Sequence, residues 1–183
     1  MQTFLPYASF KDSAAVLDDR RLGKQRVECL QILQTLCGET AAWQNHPAVR
    51  MWRGHEGSLA SYGMSVCLEW RGRGFRDTCL EKIHSLGHQS PTESWALPPW
   101  FGKPSFHASH KSNLKRKDPG YYGLWWPWVP EDLEYVWPAG ILPGKSIQEE
   151  MNETRAEINA LIARVLPGVE DYLEVHFTKE AES

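Results

Sequence analysis

Leu17 to Leu33 reads LDDRRLGKQRVECLQIL. Taken as one helix, it places Arg21, Lys24, Gln25 and Glu28 at spacings of three and four, hence on one face. Leu22, Cys29, Leu30, Leu33, Leu36 and Cys37 fall on the other, apolar face. Two cations and an amide around one carboxylate can hold an anion and move a proton in the same place. The same pattern would also serve as a solvated face with i,i+4 ion pairs. A second group is FHASHKSNLKRK at 106–117. It joins His107, Ser109, His110, Lys111, Asn113 and Arg116, a mixture of hydroxyls, imidazoles, an amide and cations suited to phosphate oxygens. Tyr121, Tyr122, Trp125 and Trp126 follow directly, and aromatics among basic residues can stack unpaired bases. A basic surface loop anchored by core tryptophans would read the same way.

Other chemistries find less support. His84 and His88, and His107 and His110, have pairwise metal-ligand spacing, but none gains a third ligand at fitting distance, so no metal is expected. There is no Gly-rich phosphate loop and no serine nucleophile elbow. Cys29, Cys37, Cys67 and Cys79 form no CxxC pair and lie in apolar patterns, as buried thiols of a reducing compartment would. Glu28 is left as the foremost general acid or base.

These residues need elements to hold them. A helix is expected from Ala14 to about Cys37, with Asp12 or Ser13 as cap and Gly38 after its end. Pro47 suits the first turn of a short helix. Longer helices are expected over 55–73 and 76–86. From 88 to 145 the periodicity fades, while nine of twelve prolines and six of nine tryptophans gather there. That composition is too aromatic for a disordered linker and implies ordered irregular chain. Ser146 and Glu149 form a capping box for a last helix reaching about Leu166. The expectation is a mostly α, compact single domain of three to four main helices with a long Trp/Pro-rich irregular segment. The domain would span 1–138, with 139–183 a C-terminal helical extension.

At 183 residues and 42% hydrophobic the chain can bury a real core. A net charge of −3 and a pI near 6.2 exclude bulk coating of nucleic acid, yet basic residues cluster at 20–26, 71–76 and 111–117. No apolar run reaches membrane-spanning length, and the N-terminus lacks the features of a signal peptide. A cytoplasmic protein is expected.

Four strings together carry a resemblance: MQTFLPY at 1–7, LDDRRLGKQRVE at 17–28, NHPAVRMW at 45–52 and FHASHKSNLKRKDPGYY at 106–122. They resemble the endonuclease V type of pyrimidine-dimer DNA glycosylase, a small helical repair enzyme, over about residues 1–138. The resemblance implies a bacterial or phage-encoded, nucleoid-associated monomer acting on double-stranded DNA with a damaged or modified base. It implies no cofactor. In that family an N-terminal α-amine attacks the sugar C1′, a Schiff base forms, and a helix glutamate manages the protons through base loss and β-elimination. Carried over, the glutamate is Glu28 and the amine is that of Met1, retained before the large Gln2. An α-amine is readily deprotonated and can serve as a nucleophile. The implied DNA contacts are Arg21, Lys24, Gln25, Arg26, Asn45, His46, Arg50, Arg53 and the 107–116 stretch. Where the family has an arginine beside the glutamate, this chain has Val27. The base pocket is therefore expected to be reshaped, and the substrate need not be a pyrimidine dimer. Two other readings remain open: a non-catalytic DNA or nucleotide-binding module of the same fold, and an enzyme acting on free modified nucleotides or hypermodified DNA bases.

Overall fold

A computed structural model describes residues 1–89 and 95–138. The described residues form seven helices and no strand: α1 (Phe10–Ala15), α2 (Asp19–Leu36), α3 (Pro47–Trp52), α4 (Glu56–Gly72), α5 (Leu80–His88), α6 (Pro104–Lys117) and α7 (Pro119–Trp125). The expected mostly α class is observed. The helix expected around 146–166 lies outside the described residues. Among the described residues, no helix is long and apolar enough to cross a membrane.

The helix expected from Ala14 to Cys37 is in fact two. Ser9 caps α1, and Asp18 caps α2 by accepting the Arg21 N–H at 3.1 Å. Asp18 prefers the cap because its carboxylate is also bonded by the Tyr122 hydroxyl and the Arg21 guanidinium. Between the helices, Arg73 donates to the carbonyls of Ala15 at 2.9 Å and Leu17 at 2.7 Å. It thereby satisfies carbonyls that the break leaves without helical partners. The helix expected from residue 76 begins only at Leu80, because Asp77 sits in front of it and accepts the Cys79 and Leu80 N–H groups.

The core lies where α2, α4 and α5 meet, around Leu22, Cys29, Ile32, Leu33, Leu59, Tyr62, Val66 and Ile83. Close approach there depends on small residues. A Cβ on Gly63 would stand 3.1 Å from Cys29 and Ile83, and one on Gly87 would stand 2.6 Å from the Ala60 Cβ.

The stretch 104–125, expected to be irregular, is helical. Pro104 and Pro119 each occupy the first turn of a helix, where a missing N–H is tolerated. Periodicity is hard to see because the buried face of α6 is partly polar: Phe106, His107, Ser109, His110, Asn113 and Leu114. These residues hold the N-terminal segment instead of facing solvent. His110 Nδ1 accepts the Leu5 N–H at 3.0 Å, and His107 Nδ1 bonds the Leu5 carbonyl at 2.7 Å. His107 Nε2 accepts from the Gly102 N–H at 3.0 Å, so its proton is assigned to Nδ1.

The same clamping continues toward the chain start. Phe4 N–H donates to Gln25 Oε1 at 2.7 Å, and the Tyr62 hydroxyl donates to the Phe4 carbonyl at 2.6 Å. Gln25 Nε2 donates to the Gln2 carbonyl. An extended segment thus passes through the helices with its polar backbone bonded by side chains of α2, α4 and α6. This threading fixes where residue 1 emerges.

The clamp makes stability pH-dependent. Burial, reinforced by His107, lowers the His110 pKa from 6.5 to about 3. Below pH 6.5 the unfolded chain therefore takes up a proton that the folded chain refuses. Stability is full above 6.5 and falls toward acid, by up to about 1.4 kcal/mol per pH unit for one proton. In urea titrations from pH 7.5 to 5, His110→Gln is expected to show a shallower decline than the parent. An identical slope would remove His110 from this role.

Candidate active site

A cleft of about 660 Å³ opens beside the chain start. Its lining joins Met1, Gln2 and Phe4 to Arg20, Arg21, Lys24 and Glu28 of α2, to His46 and Pro47 at the start of α3, and to Lys117 and Trp137.

Among the described residues Glu28 is the only carboxylate in that lining, and it is 7% exposed. Its two oxygens have different surroundings. Oε2 accepts from the Gln2 N–H at 3.4 Å and from Gln25 Nε2 at 3.3 Å. Oε1 faces the Met1 α-amine at 3.8 Å and Lys24 Nζ at 3.5 Å. One oxygen is anchored by amides, while the other meets groups that can exchange a proton. Gln25 is the hinge of this arrangement. It is fully buried and bonds Glu28, Gln2, Phe4 and Tyr62. Its place is beneath the cleft, where it holds the carboxylate and the chain start together.

The cations divide into matched and unmatched. Arg21 pairs with Asp18 at 2.6 Å, lies 3.6 Å from Asp118, and sits over the Tyr122 ring. Burial alone would raise the Asp18 pKa, but the Tyr122 hydroxyl and Arg21 outweigh it and hold Asp18 below its ordinary value. Lys24 is 73% exposed, with Glu28 as its one ion-pair partner among the described residues. Arg20 and Lys117 carry no acidic partner among the described residues. Burial, then Arg21 and Lys24, lower the Lys117 pKa, with Glu28 opposing them as the smallest influence.

Of the residues singled out from sequence, Met1, Arg21, Lys24, Glu28 and His46 meet at the cleft. Arg26 does not, because its guanidinium is taken by Asp77 and lies 4.5 Å from the Trp70 ring. Asn45, just before α3, and Arg50, within it, are exposed, and Arg53 donates to the Gln44 carbonyl; none of the three lines the cleft. His107, Ser109, His110 and Asn113 are buried in α6, where Ser109 bonds the Phe106 carbonyl and the Val136 N–H. Lys111 lies 4.8 Å from the Tyr7 ring in a separate hollow, and Arg116 donates to the Leu133 carbonyl. Arg20, Lys117 and Trp137 were not anticipated. Arg20 precedes Lys24 by four residues, so helical spacing could have placed it on the same face. Lys117 and Trp137 reach the cleft through tertiary folding that no local pattern encodes.

The family model for pyrimidine dimer DNA glycosylase matches residues 1–82. That stretch contains Met1, Gln25, Glu28 and His46, and it is the family that the sequence motifs resemble. No curated protein and no solved structure matches the chain.

Proposed function

We propose, with the pyrimidine dimer DNA glycosylase match over residues 1–82 as premise, that this chain is a DNA glycosylase with AP lyase activity. Its substrate is duplex DNA carrying a damaged or modified pyrimidine. The observation that supports this best is the Met1 α-amine 3.8 Å from the buried Glu28 carboxylate, in a cleft whose Arg20 and Lys117 have no acidic partner among the described residues.

The chemistry follows from the two unlike oxygens of Glu28. The amine attacks C1′ of an extruded nucleotide, and its proton passes to Oε1. The bond from C1′ to the base breaks, and the base leaves with the electron pair and takes the proton from Oε1, which restores the carboxylate. Ring opening then gives an imine between Met1 and the sugar. Removal of a C2′ proton by the carboxylate expels the 3′ phosphate and cuts the strand. Arg20, Lys24 and Lys117 hold the flanking phosphates, which positions the duplex without reading its sequence.

A panel of duplexes with different pyrimidine lesions, scored for base release and strand cleavage, tests the reading. Coupled release and cleavage on at least one lesion is expected. Inertness toward every lesion, with DNA still bound, would favour a binding module. The phosphate contacts make a further prediction. Arg20→Ala and Lys117→Ala should each flatten the plot of log affinity against log salt by about 0.9 unit. Lys111→Ala, in its separate hollow, should flatten it less. Unchanged slopes in both cleft variants would move the phosphate track elsewhere.

A further inference from the structure

His46 occupies an unusual position. The turn before it holds Trp43 at φ 64°, a left-handed conformation that is costly for a bulky residue. Backbone strain of this kind collects at functional sites. The Trp43 carbonyl accepts the His46 N–H at 2.8 Å, closing the turn. The His46 side chain then caps α3, with Nδ1 accepting the Ala48 N–H at 3.1 Å.

That cap determines what the ring offers the cleft. With Nδ1 as acceptor, the proton belongs on Nε2. Nε2 has no bonded partner among the described residues, and the ring lines the same cleft as Met1 and Glu28. Burial, and then the nearby amine, hold the imidazole below its ordinary pKa, while Glu28 opposes them. At physiological pH the ring is therefore a neutral N–H donor. Edge contacts with Trp43 at 5.9 Å and Trp137 at 6.2 Å set its plane.

We infer, resting on the glycosylase reading, that His46 is a catalytic residue that donates from Nε2 to the departing pyrimidine at the carbonyl beside its glycosidic nitrogen. Trp137 lines the cleft beside the His46 ring. As the Met1 nitrogen bonds to C1′, the C1′–N1 bond breaks and its electron pair moves onto the base. The charge is shared between N1 and the adjacent carbonyl oxygen, where the N–H stabilises it. The imidazole keeps its proton. The proton that the amine gave to Glu28 passes on to the base anion, so charge balances. The substrate class is thus a base with a carbonyl next to the glycosidic nitrogen. A preorganised donor aimed at developing charge is worth about 10²–10³-fold in rate.

His46→Asn tests this, because asparagine is among the strongest helix caps and preserves the start of α3 while removing Nε2–H. Two single-turnover rates are compared in the full chain: base release from every lesion the parent excises, and strand cleavage at a preformed abasic site, where no base departs. Thermal melting checks the fold. The ratio of the first rate to the second should fall about 10²-fold. Among lesions, the loss should grow as the base becomes a poorer leaving group. Equal losses in both rates, or none, would overturn the assignment. If the parent itself releases no base, the glycosylase reading fails and this inference falls with it, an outcome read from the parent alone.

Discussion

Glu28→Gln is expected to abolish most base release, by about 10²–10⁴-fold, while leaving the helix and DNA binding intact. The substitution is nearly isosteric. An amide oxygen in the Oε2 position can still accept from Gln2 and Gln25, whose donors lie 3.4 and 3.3 Å away. The other position then carries an NH₂ group facing the Met1 amine and Lys24, 3.8 and 3.5 Å from the present oxygen. Nothing remains there to take the amine's proton or to remove one from C2′. Strand cleavage at a preformed abasic site should fall along with base release, since both steps use the same oxygen. That shared loss separates Glu28 from His46, whose effect should fall on base departure. Single-turnover rates on both substrates, with filter binding as control, provide the measurement. A variant within a few-fold of the parent would remove Glu28 from the chemistry.

The chemistry was easier to read from the sequence than the architecture around it. Lys24 and Glu28 stand four apart on a helix that does form, so their pairing was visible in the spacing. Gln25 was visible too, but its role was not. It is fully buried on the stripe with Leu22, Cys29 and Ile32, because its amide is needed to bond a segment 21 to 23 residues earlier in the chain. A polar residue on a core face looks like a surface residue until the segment it binds is known. The same holds for α6. His107, Ser109 and His110 form a phosphate-binding vocabulary when read alone, yet the two imidazoles match the N–H and C=O of Leu5. Polar side chains that replace a missing strand partner resemble polar side chains that await a ligand. Only the burial of Leu5, fully enclosed, distinguishes the cases. Arg26 shows the reverse difficulty. It sits in a basic run, but its partner Asp77 lies fifty-one residues away, beyond the reach of any periodicity. The single break between α1 and α2 has a similar origin: Tyr122 and Arg73, both distant in sequence, stabilise the cap and the carbonyls that the break creates.

Blocking the α-amine should have the other large effect. The N-terminal segment is held on both edges by side chains, so Met1 has little freedom to move away from Glu28. If its nitrogen forms the bond to C1′, acetylation or a short N-terminal extension should abolish strand cleavage and imine formation, while the buried contacts of Phe4 and Leu5 persist. Borohydride added during turnover should trap a covalent adduct, and mass mapping should place it on the N-terminal peptide. Lys24 is the competing amine. It approaches the same Glu28 oxygen, at 3.5 Å against 3.8 Å for Met1. The two differ in how they are held. The Lys24 side chain is 73% exposed, whereas the Met1 side chain, 6% exposed, is packed into the fold and anchors the α-amine beside Glu28. That amine is also held by a short, clamped segment, whereas Lys24 ends a long flexible chain. A nucleophile that must meet C1′ at one angle gains from that restriction. Lys24→Met should therefore weaken DNA binding and leave the adduct in place. An adduct on the α2 peptide, or one that survives acetylation, would transfer the nucleophile to Lys24. Rapid base release with an intact abasic strand and no adduct would mean that Glu28 activates water, with Met1 only closing the cleft beside it.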